Sequence, residues 1–165
     1  MPTLTPPVPI VLIGIHTEIG GPVAEGLGPD WETIRFIQTF SAAKSDLPPL
    51  LRGTPPPTAP TNTIGTNAYG RPVRAILLGR GFTQAQAETL FALYKDESTI
   101  PPEEGGVLWA AADEAKRAPG KAGTEPPPGA EKIMVPILKG VLEGWKRRVE
   151  AGENVGKEKG ELVLY

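Results

Sequence analysis

The sequence predicts a three-layer α/β sandwich around a small, mostly parallel sheet of four to five strands, in one domain spanning residues 1–165. Two observations carry this. Short runs of β-branched and aliphatic residues alternate with segments whose apolar residues recur at helical spacing. The intervals between runs suit parallel crossovers, which place helices on both faces of a sheet. The length is sufficient for one hydrophobic core.

The elements follow in order. Met1–Val8 is a Pro/Thr-rich, extended lead. Ile10–Ile15 has no polar side chain and reads as a strand buried on both faces. His16–Glu18 forms a turn, with Thr17 a candidate N-cap. Ile19, Val23, Ala24 and Leu27 then mark a helix, with Pro22 expected in its first turn and Gly28-Pro29 ending it. Thr33–Thr39 alternates as a second strand. Ser41–Leu51 is expected to be a short helix broken by Pro48 and Pro49. Residues 53–72 hold too many Pro, Thr, Asn and Gly for regular structure, and so long a loop is usually functional or disordered.

Val73–Leu78 is the third strand, and Gly79-Arg80-Gly81 its turn. Thr83 and Gln86 make a capping box that opens a helix running to about Lys95. Val107–Ala112 is a fourth strand, followed by a second Pro/Gly-rich loop at 113–129. Ala130–Glu150 is the clearest helix: Ile133, Ile137, Val141 and Trp145 fall four apart, and Lys146, Arg147 and Arg148 close it where cations suit the dipole. Trp145 and Trp109 are expected in the core, Trp31 partly at the surface. Residues 151–160 are expected to be mobile, and Glu161–Tyr165 to dock as an edge strand.

Composition narrows the function classes. The net charge of −2 and the lack of a basic stripe argue against nucleic acid and anionic membranes. With no cysteine, disulfides, thiolate catalysis and Cys-based metal sites are excluded. No signal peptide or membrane span is apparent, so a soluble cytoplasmic protein is expected. Neither a G-x-S-x-G elbow nor a G-x-x-x-x-G-K-[ST] phosphate loop occurs. Glycine and proline, 20 each, are concentrated in the connections.

A ligand site is expected at the turn after the first strand, because open α/β sheets bind ligands beyond the carboxyl ends of their strands. The strict G-x-G-x-x-G pattern fails there, with His16 and Ile19 at its second and third glycines. A different spacing fits. Gly14, Ile19, Gly20, Val23, Ala24 and Leu27 resemble the opening strand–turn–helix of the short-chain dehydrogenases/reductases, with Ile13 in place of that family's leading threonine and Glu18 in place of its middle glycine. The resemblance spans about twenty residues. The family's Tyr–Lys pair has no counterpart: Val73 lies four residues after Tyr69 and Ser98 four after Tyr94. The resemblance implies a truncated Rossmann-like domain that binds a nucleotide through Gly14, Ile15, His16, Thr17, Ile19 and Gly20, with Gly79 and Arg80 flanking.

The second strand lacks the acid that would hold an adenosine ribose. Thr39, Ser41 and Lys44 stand there instead, a set that suits a 2′-phosphate and favours NADP. His16, the single histidine, and Glu18 are the candidates for proton transfer in an oxidoreductase. The structural alternatives are a backbone-bonded loop histidine and a glutamate placed for the helix dipole. Arg80 could hold an anion or be solvated. Asn62, Thr66, Asn67 and Tyr69 could close over a ligand as a lid or serve as turn formers. Two other classes stay open: an α/β module without cofactor that acts through association, with a homodimer through the last helix, and a cofactor-independent isomerase or lyase.

Overall fold

The computed structural model describes residues 3–116, 128–153 and 161–165. The elements run β1 (Val8–Ile13), α1 (Thr17–Leu27), β2 (Trp31–Ile37), α2 (Phe40–Leu51), β3 (Ala75–Leu78), α3 (Gln84–Tyr94), β4 (Leu108–Ala111), α4 (Ala130–Glu150) and β5 (Leu162–Leu164). All strand pairs are parallel, in the order β2-β1-β3-β4-β5. The expected three-layer architecture is therefore the observed one. The predicted loop at 113–129 and the charged segment at 151–160 fall largely outside the described residues.

Strand alternation sorts the core into two layers. Ile10, Leu12, Ala75, Leu77, Leu108 and Ala110 face α1 and α4. Val11, Ile13, Ile76, Leu78, Trp109 and Ala111 face α2 and α3. Every residue of β1 is buried, as a central parallel strand requires. Pro9 is tolerated within it because pairing with β3 begins only at Ile10↔Ala75, and its carbonyl still accepts the Arg74 N–H.

Both early strands lie two residues ahead of their expected positions, at 8–13 and 31–37. Gly14 thus leaves the sheet, and Ile15, apolar enough to read as strand, belongs to the turn. Trp31 becomes the first residue of β2 and is buried, not partly exposed; its indole N–H donates to Glu143 of α4 at 3.1 Å. β3 and β4 are shorter than expected by two residues each. The short β5 is the predicted edge strand.

β2 carries one extra residue, since Ile10 pairs with Thr33 and Val11 with Arg35. This bulge at Ile34 inverts the side-chain parity, so Trp31 and Phe36 share one core layer while Ile34 and Ile37 share the other. It also turns two successive carbonyls outward. Thr66 N–H donates to Thr33 O and Asn67 N–H to Ile34 O. Gly65 (φ +102°) enters this contact, where a Cβ would lie 2.7 Å from Ile34 O.

The 53–72 loop is therefore laid along the outer margin of β2. Asn62 donates to Phe36 O, Thr66 to Glu32, and Arg35 donates to both Tyr69 and Thr58. The polar cluster is thus an edge cover, not a lid. Asp46 completes the fastening: it lies 3.2 Å from Arg35, with both side chains buried, and accepts bonds from Thr58 and Ser45.

α2 passes through Pro48 and Pro49 without breaking. Pro48 has no N–H for the Lys44 carbonyl; the Tyr94 hydroxyl from α3 donates to that carbonyl instead, at 2.9 Å. Pro22 sits past the first turn of α1, and Pro136 lies inside α4. α4 buries Leu138, Leu142, Trp145 and Val149, a stripe turned away from Ile133, which is exposed. Trp145 and Trp109 are core residues as expected, Trp145 beside Trp31 at 6.5 Å. No helix among the described residues is long and apolar enough to cross a membrane.

Candidate functional site at the carboxyl end of the sheet

Beyond Ile13, the chain turns through Gly14-Ile15-His16 into α1. His16, not Thr17, is the N-cap, and its side chain makes no capping bond; Thr17 is the first helical residue. His16 Nδ1 lies 3.3 Å from a carboxylate oxygen of Glu18. His16 Nε2 is buried without a partner. The two proton-transfer candidates are thus adjacent, one imidazole nitrogen facing a carboxylate and the other facing inward. Glu18 is also the acid in the first turn of α1, so its dipole role and its pairing role coexist.

Gly14 and Gly20 belong to one packing unit. A Cβ at Gly14 would lie 3.2 Å from the Phe36 ring, and one at Gly20 would lie 2.6 Å from it. Gly20 is the residue that lets α1 approach the sheet, the part that the last glycine plays in dinucleotide-binding turns. Ile19 packs half-buried against the core beside it.

The turn after β3 comes close to the turn after β1. Gly79 N–H donates to Ile13 O at 2.8 Å, and a Cβ at Gly81 would lie 2.7 Å from the Ile15 side chain. Gln38, which the sequence did not single out, donates to Ile15 O at 2.9 Å and ties in the turn after β2. Arg80 is exposed on the rim.

Thr39 is the N-cap of α2 and accepts from Ala42 N–H. Ser41 and Lys44 are exposed on that helix, with Lys44 Nζ over the Phe40 ring at 5.8 Å. Among the described residues, no hydrogen bond or ion pair joins this group to His16 or Glu18.

Two more residues complete this end of the sheet, and neither carried a sequence signal. Glu114 accepts the Gln84 N–H at the start of α3, at 2.8 Å. With the Thr83–Gln86 capping box, that helix start already has protein acceptors. Tyr165 reaches across from the end of β5 and donates to Leu78 O at 2.7 Å. Contact across more than 80 residues of sequence leaves no local pattern to read.

This geometry defines a class: a small, open, doubly wound α/β protein. Its strand order is the flavodoxin-like 2-1-3-4-5, whose topological switch point lies between β1 and β3. The chain is similar to a protein of Aspergillus oryzae (strain ATCC 42149 / RIB 40) named "Kojic acid related protein 6", with 33% identity over 109 residues. The match covers 66% of this chain and 61% of that protein, so the chain spans less than two thirds of this relative. No family model and no solved structure matches.

Proposed function

We propose that the chain binds a nucleotide-type ligand, NADP first, at the β1/β3 switch point, and that His16 with Glu18 supplies proton transfer if the bound cofactor serves redox chemistry. The observation that carries this reading is His16 Nε2, a buried and unpartnered nitrogen at the carboxyl end of β1. Buried polar atoms in native proteins nearly always have partners. A ligand bound between the two turns would supply one. Glu18, 3.3 Å away, orients the ring for that contact. Thr39, Ser41 and Lys44 remain the proposed neighbours of a 2′-phosphate.

A second reading, an association module without a cofactor, is favoured by two contacts. Ile15 lies against Gly81 in the crevice, and Glu114 holds the α3 terminus where an anion would otherwise bind. A cytoplasmic homodimer through α4, with exposed Ile133 on its outer face, belongs to this reading.

Thermal unfolding with NADPH, NADP, NADH and NAD separates the two. A ligand at a hundred times its Kd stabilises a fold by about 2.7 kcal/mol. The first reading expects a shift with NADPH or NADP that His16→Ala removes. No shift with any of the four overturns it.

A further inference from the structure

The opposite, amino-terminal end of the sheet holds a cleft of about 380 Å³ whose lining includes Pro9, Arg71, Pro72, Arg74, Ile100 and Glu104. Its volume lies within the usual range for small-ligand sites. It is separate from the switch-point crevice, so its occupancy does not depend on the function proposed above.

The two arginines are braced from opposite sides. Arg71 donates to Pro7 O and Thr5 O of the N-terminal lead. Arg74 donates to Glu104 O and Gly106 O at the approach to β4, and its guanidinium lies 5.8 Å from the Trp145 ring. Each guanidinium has five N–H donors. Among the described residues, two contacts to carbonyls leave three on each. Among the described residues neither arginine has a carboxylate within 4.0 Å.

Arg71 is close enough to Arg74 to act on its charge. Burial is the main cause that lowers the Arg74 pKa, Glu104 opposes it, and Arg71 adds to it. A bound anion would favour the charged form of the half-buried Arg74. With Glu104 as the one carboxylate in the lining, the cleft carries a single net positive charge. Rigid apolar walls come from Pro9, Pro72, Ile100 and Pro101.

We infer that this cleft binds a small organic monocarboxylate, its carboxylate on the free donors of Arg71 and Arg74 and its apolar body against the prolines and Ile100. A planar guanidinium fork suits a carboxylate, and the single net charge favours a monoanion over a phosphate.

The test is a titration of the full chain, followed by amide chemical shifts, with sodium benzoate, sodium acetate, sodium phosphate and sodium chloride at matched ionic strength. Benzoate should move the Arg71, Arg74, Thr99, Ile100 and Glu104 amides saturably, and acetate more weakly. Arg74→Met should raise the benzoate Kd by about tenfold or more, equivalent to about 1.4 kcal/mol. Arg71→Gln, at an exposed position, tests the same contact with less risk to folding and should weaken benzoate similarly. Saturation by phosphate alone overturns the carboxylate assignment. Shifts that chloride reproduces, or benzoate binding unchanged in a folded Arg71→Gln chain, overturn the site.

Discussion

Gly20 of α1 rests directly on the ring of Phe36 in β2, where a Cβ would come within 2.6 Å. This contact sets how close α1 lies to the sheet, and so where His16 sits at the head of that helix. Gly20→Ala is expected to destabilise the fold by about 1–3 kcal/mol, the usual range for overpacking a filled core. Phe36→Leu in the same chain should recover part of the loss. Urea unfolding of the two single variants and the double variant measures this. If Gly20→Ala is as stable as the parent, the packing argument is wrong.

The Arg35–Asp46 pair makes a second prediction. Removing one member of a buried ion pair strands the other, at a cost of about 3–5 kcal/mol. Asp46→Ala should therefore destabilise strongly. It should also release the 53–72 cover, because Thr58 and Tyr69 are held through the same network. Trypsin reads that release at the Arg52–Gly53 bond, where the cover begins. Unchanged cleavage in a folded variant would show that the bonds to Thr33, Ile34, Phe36 and Glu32 hold the loop without the Asp46 network.

Tyr94→Phe removes the hydroxyl that serves the Lys44 carbonyl. A loss of about 0.5–1.5 kcal/mol is expected. In a Pro48→Ala background the helix regains its own N–H for that carbonyl, and the cost of Tyr94→Phe should shrink toward zero. Equal costs in both backgrounds would mean that the hydroxyl does not compensate the proline.

Glu114→Ala should cost about 0.3–1 kcal/mol, since it withdraws a carboxylate from the start of α3. It also frees the Gln84 N–H. If the association reading holds because Glu114 fills an anion position, Glu114→Ala should gain a thermal shift with inorganic phosphate that the parent chain lacks.

Much of this fold could be read from local pattern. The Thr83–Gln86 capping box opens α3 as its residues announce, and α4 occupies the expected 130–150. The alternation of strands and helices was enough to predict the layers. The errors arose where a distant partner overrides a local preference. Pro48 and Pro49 read as a helix break because Tyr94 lies far along the chain. Thr33–Thr39 read as one alternating strand because nothing near Ile34 marks the bulge, and the bulge depends on what docks against it. At the candidate site, the turn from β1 into α1 was legible from spacing, although the helix begins at Thr17 and not at Ile19. The contacts of Gln38, Glu114 and Tyr165 were not, since each depends on where another turn arrives in space.

The cover on β2 makes the sheet directional. On that side the Thr33, Ile34 and Phe36 carbonyls and the Glu32 and Arg35 side chains are engaged by the chain's own 53–72 segment. On the other side the sheet ends at β5, three residues from Leu162 to Leu164. Among the described residues, a sixth strand would meet a competitor at the first margin and an available ladder at the second. Backbone pairing with a further strand is thus directed, among the described residues, to the β5 margin, and a proline placed at Leu164 would weaken it without touching the core.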